Sequence, residues 1–313
     1  MKNADSITGS VLRIERSSIY DGDGLRTVLF LKGCPLHCAW CSTPESQKMQ
    51  PERGVTGDKC TLCGKCVSLC PRGALCIDGD KVRLIKNLCQ GCFKCAKACP
   101  NGAIVTYGSL IDTRTIGREL SKDGIFFFHS GGGVTISGGE PFAQPEFLLG
   151  VLRECNMQGI DCALESCFFA DWNVIERALP YVSLIHADIK HIDSAKHKLF
   201  TGVDNDKILD NIMRVAESVY NFRLILRMPL IPGINDGDDE IKRLAEFVNK
   251  LQKADCMEFL AYHRLGVETY SKLDIKYTLS DVGIPSADYM LQKAVLFQHY
   301  SKVPVKINGQ SIP

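Results

Sequence analysis

What the chain lacks narrows it first. No run is long and apolar enough to cross a bilayer, and the opening MKNADSITGSVLRIER has no greasy centre of the kind a secretory leader carries. Charge of one sign is also missing. Lysine and arginine number 37 against 36 aspartates and glutamates, so nothing in the balance asks for nucleic acid or lipid headgroups. These absences predict a cytoplasmic protein with no membrane and no nucleic-acid partner. Hydrophobic residues at 45% and charged residues at 23% are ordinary for a globular chain, and 313 residues can bury one large core or two smaller ones.

Cysteine, by contrast, is abundant. There are sixteen, most of them in tight runs. Neighbours this close seldom reach disulfide geometry with one another, but they can share a metal. The first run, GCPLHCAWCS, puts Cys34, Cys38 and Cys41 at CxxxCxxC spacing, directly after the apolar, strand-favouring residues 26–31. Such thiolates suit zinc or iron. That there are three matters. A cubane taking one thiolate per iron would keep one iron free, as catalytic zinc keeps an open position. The plainer readings are a zinc knuckle or scattered buried cysteines.

Further along, the chain repeats itself. Cys60, Cys63, Cys66 and Cys70 stand at CxxCxxCxxxC spacing before Pro71, and Cys89, Cys92, Cys95 and Cys99 stand identically before Pro100. This duplicated run resembles the bacterial two-cluster ferredoxins, in which each fourth cysteine serves the other cluster. The resemblance implies one cubane on Cys60, Cys63, Cys66 and Cys99, and a second on Cys89, Cys92, Cys95 and Cys70. Residues 74–77 and 103–105 read as strand pieces covering them. Across residues 52–108 nine lysines and arginines face four acids. That excess suits an acidic electron donor such as a flavodoxin or ferredoxin. A solvated basic face that offsets the clusters' negative charge accounts for it equally well.

Beyond residue 108 strand-like and helix-like segments alternate, as in a parallel α/β sheet or barrel. Strands are predicted near 133–137, 161–165, 184–188, 222–229 and 257–262, with helices at about 112–122, 145–157, 171–179, 207–220 and 238–252. With the strand before the cysteine loop this makes six β/α units. The predicted fold class is α/β: a partial (β/α)6 TIM-like barrel with an inserted bacterial-type dicluster ferredoxin domain. Residues 1–52 begin the barrel, 53–108 form the insert, and 109–313 complete the barrel and a C-terminal segment.

Reactive groups of parallel barrels gather at the C-terminal ends of strands. Here those ends carry Ser137-Gly138-Gly139-Glu140-Pro141, Glu165-Ser166, Asp188-Ile189-Lys190, Arg227-Met228-Pro229 and Tyr262-His263-Arg264. Each alone is weak; their recurrence on one rim with CxxxCxxC carries weight. The cysteine triplet with Trp40 before its third member resembles the radical S-adenosylmethionine (SAM) superfamily. That likeness implies a free iron that chelates SAM, and an electron from the cluster that splits the sulfonium to a 5′-deoxyadenosyl radical. It implies contacts to SAM from Trp40, Cys41 and Ser42. Gly138 and Gly139 are expected to let backbone approach the ligand, and Glu140 to accept from its ammonium. Lys190 and Arg227 are expected to meet its carboxylate, Asp188 or His263 its ribose or adenine, and Ile189 completes the Asp-Ile-Lys triplet.

Within that superfamily the whole chain resembles the glycyl-radical-enzyme activating enzymes. The markers are DGDGLR (21–26), the cysteine loop, the dicluster insert, GGGVTISGGEP (131–141), DIKHIDSAKHKLFTG (188–202), RMPLIPGIND (227–236) and YHRLGVETY (262–270). The resemblance implies three 4Fe–4S clusters, SAM, and a partner glycyl radical enzyme that loses one glycine α-hydrogen. A monovalent cation near Glu165 and Asp188 is a further expectation. The auxiliary clusters are read as an electron relay in preference to a structural role or a docking platform. Phe126-Phe127-Phe128 reads as core, His37 as solvent-facing, and Cys76, Cys155, Cys162, Cys167 and Cys256 receive no role. Two other classes stay open: an electron carrier, which leaves the rim motifs unexplained, and a radical SAM enzyme acting on a small molecule or RNA.

Overall fold

The computed structural model describes residues 6–312; the opening MKNAD, read above as leaderless, and Pro313 lie outside them. β1 (Thr8–Ser18) runs antiparallel to β2 (Arg26–Leu31). The chain then leaves through the cysteine loop into a small separate segment. There β3 (Glu52–Val55), β4 (Leu75–Asp78), β5 (Lys81–Leu84) and β6 (Ile104–Tyr107) form two antiparallel pairs, β3 with β6 and β4 with β5. Helical turns α1 (Lys65–Ser68) and α2 (Lys94–Ala98) pack between them. β7 (Ser109–Asp112) returns antiparallel to the outer edge of β1, and α3 (Thr113–Ser121) and α4 (Gly124–Ser130) follow.

The rest alternates as its pattern predicts. β8 (Gly133–Gly138), β9 (Cys162–Ser166), β10 (Leu184–Asp188), β11 (Arg223–Leu230) and β12 (Cys256–Ala261) join β2 in one run of parallel neighbours. Helices α5 (Pro145–Met157), α6 (Trp172–Ala178), α7 (Ser194–Thr201), α8 (Asp206–Glu217) and α9 (Asp238–Val248) connect them. After β12 come α10 (Val267–Lys272), α11 (Ala287–Tyr300), β13 (Val305–Ile307) and β14 (Gln310–Ser311). The sheet is open and ten-stranded among the described residues, in the order β14-β13-β12-β11-β10-β9-β8-β2-β1-β7.

Simple patterns produce these elements. The central strands are buried along nearly their whole length, as strands covered on both sides must be; β8 is GVTISG with only its last residue half-buried. α8 buries Ile208, Asn211, Ile212, Val215 and Ala216, the three-and-four spacing of one helix face. Side chains of Asp112, Asp193 and Ser286 accept the backbone N–H three residues on and so cap α3, α7 and α11.

One expectation needs correcting. The phenylalanine triplet on α4 is not core: Phe127 is buried, but Phe126 and Phe128 are 57% and 82% exposed. On a helix three consecutive side chains fan over most of the circumference, so only one can face inward. β13, followed by β14 and not by a helix, adds a parallel strand beside β12 without adding a β/α unit.

Candidate functional site

At the C-terminal ends of β2 and β8–β12 the sheet opens into a cavity of about 300 Å³. Every one of those six strands contributes to its wall: Phe30, Ser137, Glu165, Asp188, Arg227 and Leu260. Cys34, Cys38 and Cys41 line it together with Trp40 and Ser42. Burial pushes the Cys38 thiol up to about 12, and it raises Cys34 and Cys41 in the same direction. Three desolvated thiols at one cavity are poor thiolates unless a cation joins them, which is the condition a metal supplies. Among the described residues no three His, Cys, Asp or Glu side chains converge as around a single ion. A cubane does not require that, because it spreads its ligands around its own bulk.

The cysteine loop is held by distant chain. Gly33 N–H donates to Ser46 O at 2.7 Å and Cys34 N–H to Gln47 O at 2.9 Å. Gly139 N–H donates to Leu31 O at 2.9 Å and Glu140 N–H to Gly33 O at 2.8 Å. The close approach that needs glycine is therefore made by chain, not by ligand. A Cβ on Gly138, at φ +119°, would lie 2.3 Å from the Leu31 backbone, and one on Gly139 2.3 Å from Gly33 O.

Glu140 also departs from expectation. It is 1% exposed. Oε1 accepts from Phe142 N–H at 3.0 Å and Ser166 Oγ at 2.8 Å, and Oε2 from Cys167 N–H at 2.9 Å and Sγ at 3.0 Å. Burial raises its pKa while those four donors oppose the rise. With its acceptor capacity filled, Glu140 ties the β8 end to the β9 end and is not an open acceptor for an ammonium. Cys167, left without a role by its spacing, turns out to be half of that tie.

The charged residues of the wall are paired. Arg227 Nη1 lies 2.5 Å from Glu165 Oε1 and its Nε 2.6 Å from Glu258 Oε2, while Nη2 donates to Tyr20 O at 3.2 Å. Ser137 Oγ donates to the other Glu165 oxygen at 2.6 Å. The guanidinium expected to meet a carboxylate thus already spans two protein carboxylates. Lys190 Nζ is 2.8 Å from Asp188 Oδ2. Burial works against the Lys190 charge, but Asp188 and Cys38 outweigh it and raise its pKa. Asp21, unassigned from sequence, reaches the same cavity; burial and Glu165 raise its pKa. His263 lines the mouth. Ile189 does not reach the cavity: its side chain is 1% exposed within the main core. In a strand-end triplet alternate residues point alike, so Asp188 and Lys190 face in and Ile189 faces away.

Four carboxyls (Asp21, Glu140, Glu165, Asp188) against two cations (Lys190, Arg227) leave the wall with an excess of acid. That fits a ligand carrying a sulfonium and an ammonium.

The small segment has two cavities of its own. Cys60, Cys63, Cys66 and Cys99 line one, and Cys70, Cys89, Cys92 and Cys95 line the other. Its two halves match in detail. Ala74 N–H donates to Cys70 Sγ at 3.2 Å and Ala103 N–H to Cys99 Sγ at 3.3 Å. Left-handed residues fall at matching places, Leu62 and Gly64 in one run and Gly91 and Phe93 in the other.

Comparison with known proteins agrees with this geometry. Residues 87–248 match the radical SAM superfamily, residues 20–64 a 4Fe-4S single cluster domain, and residues 55–76 a 4Fe-4S binding domain. A solved radical SAM methyltransferase from Sphaerobacter thermophilus shares the fold, with a TM-score of 0.53 at 12% identity over 95% of this chain and 76% of that one. The chain therefore has the radical SAM α/β fold with ferredoxin-like 4Fe–4S sequence in it.

An isethionate sulfite-lyase activating enzyme from Oleidesulfovibrio alaskensis is 41% identical over 88% of this chain and 90% of its own. A (2S)-3-sulfopropanediol sulfolyase activating enzyme from Bilophila wadsworthia is 42% identical over 94% and 98%. This chain belongs to the glycyl-radical-enzyme activating enzymes.

Proposed function

We propose that this chain holds one 4Fe–4S cubane on Cys34, Cys38 and Cys41, binds SAM beside it, and removes one backbone α-hydrogen from a glycine of a partner glycyl radical enzyme. The observation that carries this reading is the common cavity: three desolvated cysteines opening onto an acid-rich wall built from six parallel strand ends. When bound, the cluster and SAM supply a one-electron cleavage of the sulfonium that yields the hydrogen-abstracting radical. The chain's own task is orientation and exclusion of water. Trp40, only 7% exposed and packed with Ile231, Ile234, Tyr262 and Leu279, stiffens the loop between its second and third cysteines. Asp188, Lys190 and His263 are the polar groups we assign to the ligand, with Ser42 and the backbone of Gly138–Glu140 beside it. Arg227 and Glu140 act one step back, through Glu165 and through Ser166 and Cys167. Glu165 and Asp188 are each already paired with a protein cation, Arg227 and Lys190, so we assign no monovalent cation to them.

We read the open sheet as an incomplete barrel that admits a protein loop, and residues 53–108 as an inserted domain carrying two further cubanes on the quartets that share cavities. An acidic flavodoxin or ferredoxin is the proposed donor. Lys86, Lys94 and Lys97 rim the cavity of Cys89 and Cys92, both of which are exposed. The cytoplasm, a reducing compartment, is the proposed location. Relatives at nearly equal identity bear the names of different lyases and dehydratases, so the reaction class of the partner is left to the partner.

The test is anaerobic. Reduced protein with SAM is expected to give a glycyl-radical EPR doublet only when its partner is added. SAM cleavage with no doublet from any candidate partner moves the substrate elsewhere. Absence of SAM cleavage leaves only an electron carrier.

A further inference from the structure

The two cysteine quartets are nearly symmetrical, but one charge breaks the symmetry. Arg53 lies on β3, opposite Thr106 of β6, and is 9% exposed. Its Nε and Nη1 are buried without a hydrogen-bond partner. A guanidinium keeps its charge in proteins, so a dry and unpaired one calls for an anion. The only carboxylate on the same wall, Glu52, is taken by Lys48 at 2.6 Å. What Arg53 faces is the cavity of Cys70, Cys89, Cys92 and Cys95. Burial lowers its pKa, and the groups that act against that lowering are Cys95, Cys89, Cys66 and Cys70. The other cavity has only Lys59 and Lys65, both exposed.

We propose that Arg53 is the counter-charge of the auxiliary cluster on Cys70, Cys89, Cys92 and Cys95, donating from Nε and Nη1 toward its sulfur and making it the easier of the two auxiliary clusters to reduce. Reduction adds one electron, taken from the external one-electron donor, and so adds one negative charge to the cluster. A fixed cation and hydrogen bonds to sulfur stabilise that reduced form more than the oxidised one, which raises the potential. A strongly hydrated lysine at the rim has a much weaker hold, because water screens it. Electrons entering the segment therefore rest on this cluster.

The inference depends on the two-cluster reading of residues 53–108, and one experiment separates the two. Fully reconstituted protein is titrated with redox mediators and followed by EPR, as wild type, Arg53→Gln and Arg53→Lys. In R53Q one auxiliary midpoint is expected to fall by about 59 mV, a tenfold change in a one-electron equilibrium, with the other two midpoints less affected. R53K, which keeps the charge, is expected to recover most of that shift. Three unmoved midpoints in R53Q overturn the role of Arg53, and so does an equal shift in R53K. If R53Q fails to load that cluster, R53K decides: loading at a near-native midpoint supports the proposal, and failure to load overturns it. Wild type with fewer than three cubanes by iron content and Mössbauer spectroscopy would instead sink the two-cluster reading.

Discussion

The large open sheet and the small cysteine-rich segment solve one problem in opposite ways. In the sheet, the cysteine loop is fixed by chain far away: Gly139 and Glu140 grip Leu31 and Gly33, and Glu140 grips Ser166 and Cys167. The cavity is shaped by a core of dozens of side chains before any metal arrives. The segment from 52 to 107 buries only Cys66, Ala74, Leu75, Val82, Ala103 and Ile104 among its hydrophobic side chains, and three of its cysteines are exposed. So small a core cannot offset the entropy of ordering its chain. The lesson is that one region organises its metal and the other is organised by it.

The largest test of this contrast is iron removal. Chelation of the as-isolated protein is expected to abolish hydrogen-exchange protection across residues 52–107, since binding energy there is folding energy. Protection in β8–β12 is expected to survive. If the segment stays protected without iron, the contrast is wrong. Next in size is Arg227→Ala. It strands Glu165 and Glu258, with side chains 17% and 8% exposed. A cost of about 3–5 kcal/mol is expected by urea unfolding, the usual penalty for an unpaired buried charge. The small segment should keep its bound iron in that variant. Gly138→Ala follows at roughly 1–3 kcal/mol for the positive φ alone, with a further cost for the contact with Leu31. An unchanged urea midpoint in that variant would mean the loop is not gripped as described.

Much of the sheet was legible because its signal is local. The helix predicted over 145–157 is Pro145–Met157, since Pro145 opens it and the apolar spacing closes it. β10 is likewise Leu184–Asp188 as read. β1 escaped notice because Arg13, Glu15 and Arg16 interrupt its apolar positions along the half-exposed stretch that β7 does not cover. α11 escaped because only Met290, Ala294 and Phe297 are buried on fourteen residues, although Ser286 marks its start. The strand-end motifs led to the cavity, but not to what each residue does there. Glu140 finds Ser166 and Cys167 across more than twenty residues of chain, and Gly138 meets a strand a hundred residues earlier. No local pattern encodes such partners. Arg53 shows the same limit, being one of nine basic residues until its burial singles it out.

The smallest predicted effect draws the line between the regions by pH. All seven histidines lie outside residues 52–107. His186 is 2% exposed with both ring nitrogens unpartnered, and burial, then Arg227, holds its pKa well below 6.5. Burial also lowers His191 and His197. A histidine kept neutral in the native state binds fewer protons there than in the unfolded chain, so its stability contribution is full above pH 6.5. It falls as the pH drops below 6.5, toward the depressed native value. For His186 the slope is about 1.4 kcal/mol per pH unit. His186→Leu is expected to remove that much of the slope of unfolding free energy between pH 6 and pH 5, read by urea titration at each pH. Hydrogen exchange at the same pH values should show the loss in β8–β12 and not in the cysteine-rich segment. A slope unchanged by H186L would mean that the histidine is solvated in the native protein, and the interior of the sheet wetter than its packing implies.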